Sequence, residues 1–423
     1  MRRAVVTLLA STVATFGCAS SHAPVATPVS AREAPPDPDA ELRAACDHGS
    51  ASACHELGAR ISDRDPSPAA QTHSDELEQR ACKLGSQMGC TAVAARLFTG
   101  MGVKKDAARA VALFRTACEA RIAIACMGLA NGYLSGEGIE QDQLRAASLY
   151  QRACDGGSLT ACGVLGQVFE TGVGVSVDVA RAASLYQRAC PNGEHERSCL
   201  AVADMLLEGK GMAKDGARAL KLLRAACSRG GNDACFKGGV MLGEGIEVDA
   251  DLDAARELYA SGCNRGHPRS CNALGVTYSR IGTEQDDARA FAFFDRGCKA
   301  GSQTACANLG IFHEEGRHTA EDLPGAARLF EKACDARVGF ACAHLGSMTY
   351  EGRGVSADPE KAFGWFSRAC DDDHPLGCVN AGRMLKTGNG VPANPKRAAA
   401  LWTAACKRGV KEACTELEGM KAP

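Results

Sequence analysis

Aromatic residues are scarce in this chain of 423 residues, at 5%, while 45% of its residues are hydrophobic and 47 are glycine. That balance suits close-packed helices rich in alanine and glycine. Charge of one sign is also missing: the formal net charge is −2, with no long basic block. Nucleic-acid binding draws on many Lys and Arg contacts to phosphate, so no nucleic-acid partner is expected. Asp371, Asp372 and Asp373 make the only short acidic run, which reads as a solvated turn. Structural zinc sites favour cysteines two to four residues apart. No Cys-x-x-Cys occurs, no histidine recurs at ligand spacing, and no metal is expected. Apart from the stretch from Ala4 to Gly17, no apolar run approaches membrane-spanning length.

What the chain does have is cysteine, and in a strict order. Of 23 cysteines, 22 fall in eleven pairs that recur about every 36 residues. They are Cys46 and Cys54, Cys82 and Cys90, Cys118 and Cys126, Cys154 and Cys162, Cys190 and Cys199, and Cys227 and Cys235. The series continues with Cys263 and Cys271, Cys298 and Cys306, Cys334 and Cys342, Cys370 and Cys378, and Cys406 and Cys414. Partners are eight residues apart, except Cys190 and Cys199, which are nine apart. A period of this size over almost the whole chain means stacked supersecondary units, each burying its apolar face against its neighbours.

Around Cys334 the apolar residues ahead of the first cysteine are Ala326, Leu329, Phe330 and Ala333. The spacing is one stripe of an amphipathic helix, and a second stripe starts at the second cysteine. Four residues past the second cysteine stand Gly58, Ala94, Ala130, Gly166, Ala203, Gly239, Gly275, Gly310, Gly346 and Gly382. Glycine costs roughly 1 kcal/mol against alanine inside a helix, so one facing residue of the next helix is expected to need that space. Glu418 breaks the rule in the last unit, as a terminal cap would. The second helix usually ends in Gly-x-Gly, for example Gly136-Glu137-Gly138. Phosphate loops precede helices, whereas these glycines follow one, so they read as helix ends.

The pattern Leu-Gly-x-x-Tyr-x-x-Gly-x-Gly-Val, as in Leu345 to Val355, followed by Ala-x-x-Leu-Phe/Tyr-x-x-Ala-Cys, resembles Sel1-like repeats. The paired cysteines are similar to those of the cysteine-rich branch typified by the Helicobacter cysteine-rich proteins. The resemblance covers about residues 40–420. It implies an all-α fold: an α/α superhelical solenoid of about eleven 36-residue helical hairpins, related to tetratricopeptide repeats. It also implies one disulfide per pair, joining the helices on either side of the short turn. Departures from the pattern cluster near residues 275–325, where irregular curvature or a functional notch is expected. The first unit carries Pro66 and Pro68, and the apolar stripe ahead of Cys82 is weak.

Met1-Arg2-Arg3 and the apolar Ala4 to Gly17 read as a signal peptide, residues 1–17. Gly17-Cys18 resembles the lipobox of bacterial lipoproteins, although Thr15 stands where that family prefers leucine. Cys18 is therefore the expected lipidation site, and it is the one cysteine without a partner. A cut after Ala23 would instead release a secreted protein. Residues 18–40 read as a lipidated cysteine and flexible tether, and 41–423 as the repeat solenoid. The expectation is a periplasmic or cell-surface lipoprotein, touching a membrane only through its lipid.

Members of the cysteine-rich branch carry the label β-lactamase, so a weak hydrolase or penicillin-binding protein is the competing reading. The chemistry for it is thin. No Ser-x-x-Lys tetrapeptide occurs to supply an activated nucleophile. Lys386-Thr387-Gly388 spells that class's third motif but lies where other units have a helix end. His55, His195 and His313 each precede Glu, and none continues as His-Glu-x-x-His. No residue stands out as a haem ligand, and no cofactor is expected. An interaction scaffold fits better. Two residues after the second cysteine, successive units place Asn308, His344 and Asn380, with Ser347 and Arg383 one turn further on. Together they would form a polar ladder for an extended protein or peptide partner, or for peptidoglycan-related envelope material. The equivalent early positions, Ala92, Gly128 and Val164, are apolar or lack a side chain.

Overall fold

The computed structural model describes residues 37–420. Residues 1–36, which hold the expected signal peptide and Cys18, lie outside the described residues. The chain runs as eleven helical hairpins without a strand among the described residues. They are α1 (Ala40–Asp47) with α2 (Ala51–Arg64), α3 (Pro68–Lys83) with α4 (Gln87–Thr99), and α5 (Ala107–Glu119) with α6 (Ala123–Ser135). Next come α7 (Gln143–Asp155) with α8 (Leu159–Thr171), α9 (Val179–Ala189) with α10 (Glu196–Glu208), and α11 (Gly216–Ser228) with α12 (Asn232–Glu244). Then follow α13 (Leu252–Asn264) with α14 (Pro268–Ser279), and α15 (Glu284–Lys299) with α16 (Gln303–Glu315). The array closes with α17 (Leu323–Asp335) and α18 (Gly339–Glu351), α19 (Pro359–Asp371) and α20 (Pro375–Thr387), and α21 (Pro395–Lys407) and α22 (Lys411–Gly419).

Local chemistry sets these boundaries. Most odd-numbered helices start at an Asp twelve residues before the first cysteine. Asp106, Asp142, Asp178, Asp215, Asp251, Asp322 and Asp358 each accept a backbone N–H from the third residue of their helix. A cap of this kind is worth about 1 kcal/mol. Ser50, Ser86, Ser158 and Ser302 cap even-numbered helices in the same way. At the other end of α6, Gly136 takes φ +73 and closes the helix. The second glycine of that loop has a different task. A methyl group on Gly138 would sit on the Ala107 carbonyl, so the loop lies flat against the start of α5.

The glycine slot behaves as the sequence pattern requires. A Cβ on Gly346 would lie 2.8 Å from the Phe366 ring, and one on Gly310 would lie 2.9 Å from Phe330. Gly166, Gly239, Gly275 and Gly382 receive Tyr186, Tyr259, Phe294 and Trp402 in the same manner. Each ring comes from the next odd-numbered helix, four residues before its cysteine, and is buried. The few aromatics are thus spent about one per module, as wedges between neighbours.

All eleven cysteine pairs are bonded, with Cα atoms 4.4–5.1 Å apart. Each bridge clips an odd-numbered helix to the even-numbered helix after it. Except between α19 and α20, that seam is packed less extensively than the seam across the glycine loop. The covalent link therefore falls where side-chain packing holds the array least. The extra residue between Cys190 and Cys199 is absorbed by a 3₁₀ turn at Pro191–Gly193, whose Gly193 presses on the backbone of α11.

Near residues 275–325, where irregular curvature or a notch is expected, the packing between α14 and α15 is continuous. α14 is short, at 12 residues, but α15 is lengthened to 16 and packs on α14 as closely as any neighbouring pair. The weak stripe before Cys82 has a physical outcome. Glu78 occupies the wedge position, buried, with its carboxylate 2.8 Å from His55 Nδ1. At the far end Glu418 is exposed, as its charge required.

Even-numbered helices of adjacent modules touch directly, as α10 does α12, α12 does α14 and α18 does α20. The odd-numbered helices, α11 and α13 excepted, stand further apart. The array therefore bends towards the even-numbered helices, which line its inner face.

Candidate functional site

The side chains left uncovered on an even-numbered helix stand two, five, eight and nine residues after its cysteine. On α18 these are His344, Ser347, Tyr350 and Glu351, and on α20 they are Asn380, Arg383, Lys386 and Thr387. Between the two helices lies a cleft of about 320 Å³ lined by Ser347, Tyr350, Glu351, Asn380, Arg383 and Thr387 over a floor of Phe366 and Met384. Arg383 is held in place. Its Nε donates to Glu416 Oε1 of α22 at 2.6 Å, and Nη1 reaches Asn380 Oδ1 at 3.4 Å. Asn389 Nδ2 donates to Tyr350 Oη at 2.7 Å, which fixes a ring that is 42% exposed. The cleft offers an aromatic plate, an oriented guanidinium, an amide and two hydroxyls.

Of the five residues expected to form a ladder, Ser347, Asn380 and Arg383 share this cleft. His344 is engaged elsewhere. Its ring stacks on Phe330 at 4.9 Å, and Nδ1 lies 2.9 Å from Glu314 Oε2. Burial opposes ionisation of Glu314, but His344 and Arg353 outweigh it and hold the carboxyl below its ordinary value. Asn308 is a module away from His344 and donates to Asn272 Oδ1 at 2.8 Å. The ladder is therefore broken into separate polar clusters. Tyr350 and Glu416 were missed as site residues. Tyr350 hid in the repeat signature, and Glu416 belongs to the terminal helix, read only as a cap.

One constellation has the connectivity of a serine hydrolase. Ser270 Oγ lies 2.8 Å from His267 Nδ1, and His267 Nε2 lies 3.4 Å from Asp233. Ser270 is fully buried, with no path for a substrate to its hydroxyl. His195 and the equally buried Ser198 repeat the pair at the start of α10, again at 2.8 Å. Histidine stands there at the helix start, bonded to the hydroxyl three residues on, so the pairs are structural. In Lys386-Thr387-Gly388, Gly388 is the left-handed helix end and Thr387 Oγ1 bonds back to the Arg383 carbonyl at 3.0 Å. Among the described residues no three His, Cys, Asp or Glu side chains cluster as metal ligands.

Nine segments match the Sel1 repeat: residues 87–121, 123–158, 160–193, 197–231, 232–267, 268–302, 303–337, 339–374 and 375–410. The chain belongs to the Sel1 repeat family. Each Sel1 segment starts on an even-numbered helix, so Cys118–Cys126 and its equivalents staple one Sel1 repeat to the next. Similar solved structures include c5321, a protective antigen present in uropathogenic Escherichia coli strains that displays an SLR fold. It is 25% identical with a TM-score of 0.66, over 90% of this chain and 81% of that one. A Sel1 repeat protein from Oxalobacter formigenes is 23% identical with a TM-score of 0.46, over 82% and 90% of the two chains. Helicobacter pylori cysteine-rich protein B is 27% identical with a TM-score of 0.27, over 32% of this chain and 98% of that one. No curated protein matches the sequence.

Proposed function

We propose that this Sel1 repeat chain is an exported scaffold, tethered through a lipidated Cys18, that binds an extended protein segment or envelope strand on its inner face. It performs no chemistry of its own. Eleven disulfides favour an oxidising compartment outside the cytoplasm, where such bonds persist. Among the described residues no helix is long and apolar enough to cross a membrane. The observation that carries the binding reading is the α18–α20 cleft, where Ser347, Asn380 and Arg383 converge beside the exposed Tyr350 ring. Affinity capture from envelope extract should enrich one partner, and Y350A/N380A should lose it while N308A keeps it. A partner retained by Y350A/N380A rules this cleft out.

The competing reading is a weak β-lactam hydrolase, favoured by Ser347 and Thr387 bordering one cleft. Nitrocefin turnover that disappears in S347A would establish it. Turnover no higher than a buffer blank removes it.

A further inference from the structure

We propose that the outer face of α5, α7, α9 and α11 is a docking surface for anionic phospholipid headgroups. No basic run exists in the sequence, yet the fold assembles one from residues a full repeat apart. Arg109, Arg145, Arg181 and Arg218 stand at one register, nine residues before the first cysteine of four successive modules. Arg115, Arg152, Arg188 and Arg224 form a second row six or seven residues further along the same helices. At 1.5 Å per residue the rows are about 9–10 Å apart. All eight side chains are exposed. With Lys221, these four helices carry nine basic residues against two acidic ones, Glu119 and Asp155, and the capping Asp106, Asp142, Asp178 and Asp215 stand at their starts. The remaining outer helices from α13 to α21 carry eleven basic and ten acidic residues, with Asp251, Asp322 and Asp358 as further acidic caps, so the bias is local.

Partnering leaves much of this charge available. Arg145 pairs with Asp142 and Arg188 with Asp155, while Arg152 and Arg188 each give one N–H to a carbonyl at the end of the preceding outer helix. Arg109, Arg115, Arg218 and Arg224 make no ion pair among the described residues. Between α5 and α7 a cleft of about 310 Å³ is lined by Arg115, Arg145, Arg152 and Ser148, together with the carboxylate of Glu119. Guanidinium forks suit phosphate oxygens in pairs, which a lysine point charge does not. Two observations favour a lipid surface over a soluble polyanion. The charges spread across four adjacent helices rather than along one track, with Arg115 and Arg224 turned about 120° from Arg109 and Arg218 on the exposed side. Leu144 and Val177, at 68% and 58% exposure, stand at the N-terminal ends of α7 and α9, where they can enter the acyl boundary. Docking by this face leaves the inner face open to a partner.

The test is co-sedimentation of the full chain with phosphatidylcholine vesicles, with and without phosphatidylglycerol. The expected result is an excess on the anionic vesicles that vanishes at raised salt. At about a factor of five per arginine, R109Q/R145Q/R181Q/R218Q should lower that excess about 100-fold or more. R109Q/R218Q, which touches no ion pair, should lower it about tenfold or more. R289Q/R328Q/K361Q/R397Q removes the same net charge from exposed positions elsewhere on the outer helices and should retain the excess. Equal loss in both quadruple variants reduces the effect to net charge and overturns the proposal. So does equal binding to neutral vesicles, or capture by heparin without any excess on anionic vesicles.

Discussion

Filling the glycine slot of one module tests the wedge packing. In G346A the new methyl group would lie 2.8 Å from Phe366 Cδ1 and Cε1, closer than such carbons approach. Phe366 cannot swing aside, because it is buried among Ala362, Ala381 and Met384. Alanine recovers about 1 kcal/mol of helix propensity, while forced overpacking costs about 1–3 kcal/mol. The net expectation is a loss of up to about 2 kcal/mol. F366L alone should cost about 1–2 kcal/mol through the space it leaves. Together the two changes should nearly cancel, since the chain itself pairs Ala203 with Leu223 at the corresponding positions of another junction. Repeat arrays need not unfold in one step. The readout is therefore native-state hydrogen exchange on peptides spanning 339–371, with disulfides intact. Coupling of about 1 kcal/mol or more between the two sites is expected. Purely additive losses would refute the wedge account.

The first junction should be improvable: E78F with H55L places a ring over Gly58 and should stabilise α2 against α3 by about 1–2 kcal/mol, read by the same exchange method. Two carboxyls should respond to pH with opposite sign. Glu78 is raised above its ordinary value by burial, so its contribution is present at low pH and lost as pH rises through the folded value. Glu314 is lowered, so its contribution is present at higher pH and lost on acidification. Between about pH 3 and 6, exchange protection at the α2–α3 seam should rise on acidification while that at the α16–α18 contact falls. E78Q and E314Q should each flatten only their own slope. D142A should cost about 1 kcal/mol, localised to α7.

Much of the fold was legible because its causes are local and repeated. The cysteine period, the glycine slot, and the Gly-x-Gly helix ends each constrain one module and recur at fixed spacing. The first junction is harder to read, since Glu78 fills an aromatic position and is tolerated only because His55 lies across the seam. The continuous packing at α14–α15 is hidden for a related reason. Sequence counts the missing glycine near α14 but cannot see α15 lengthen to restore the packing. The polar ladder was half legible. Register places Asn308, His344 and Asn380 on one face, but whether each meets a ligand depends on neighbours such as Asn272, Glu314 and Glu416. The arginine face is invisible along the chain, because its members lie about 36 residues apart.

Peptide mapping of the unreduced, alkylated protein addresses the covalent architecture most directly. Every linked pair should join cysteines eight or nine residues apart, from Cys46–Cys54 to Cys406–Cys414, with none of these 22 alkylated. Alkylated cysteines among them, or bridges spanning distant hairpins, would contradict an array clipped once per module.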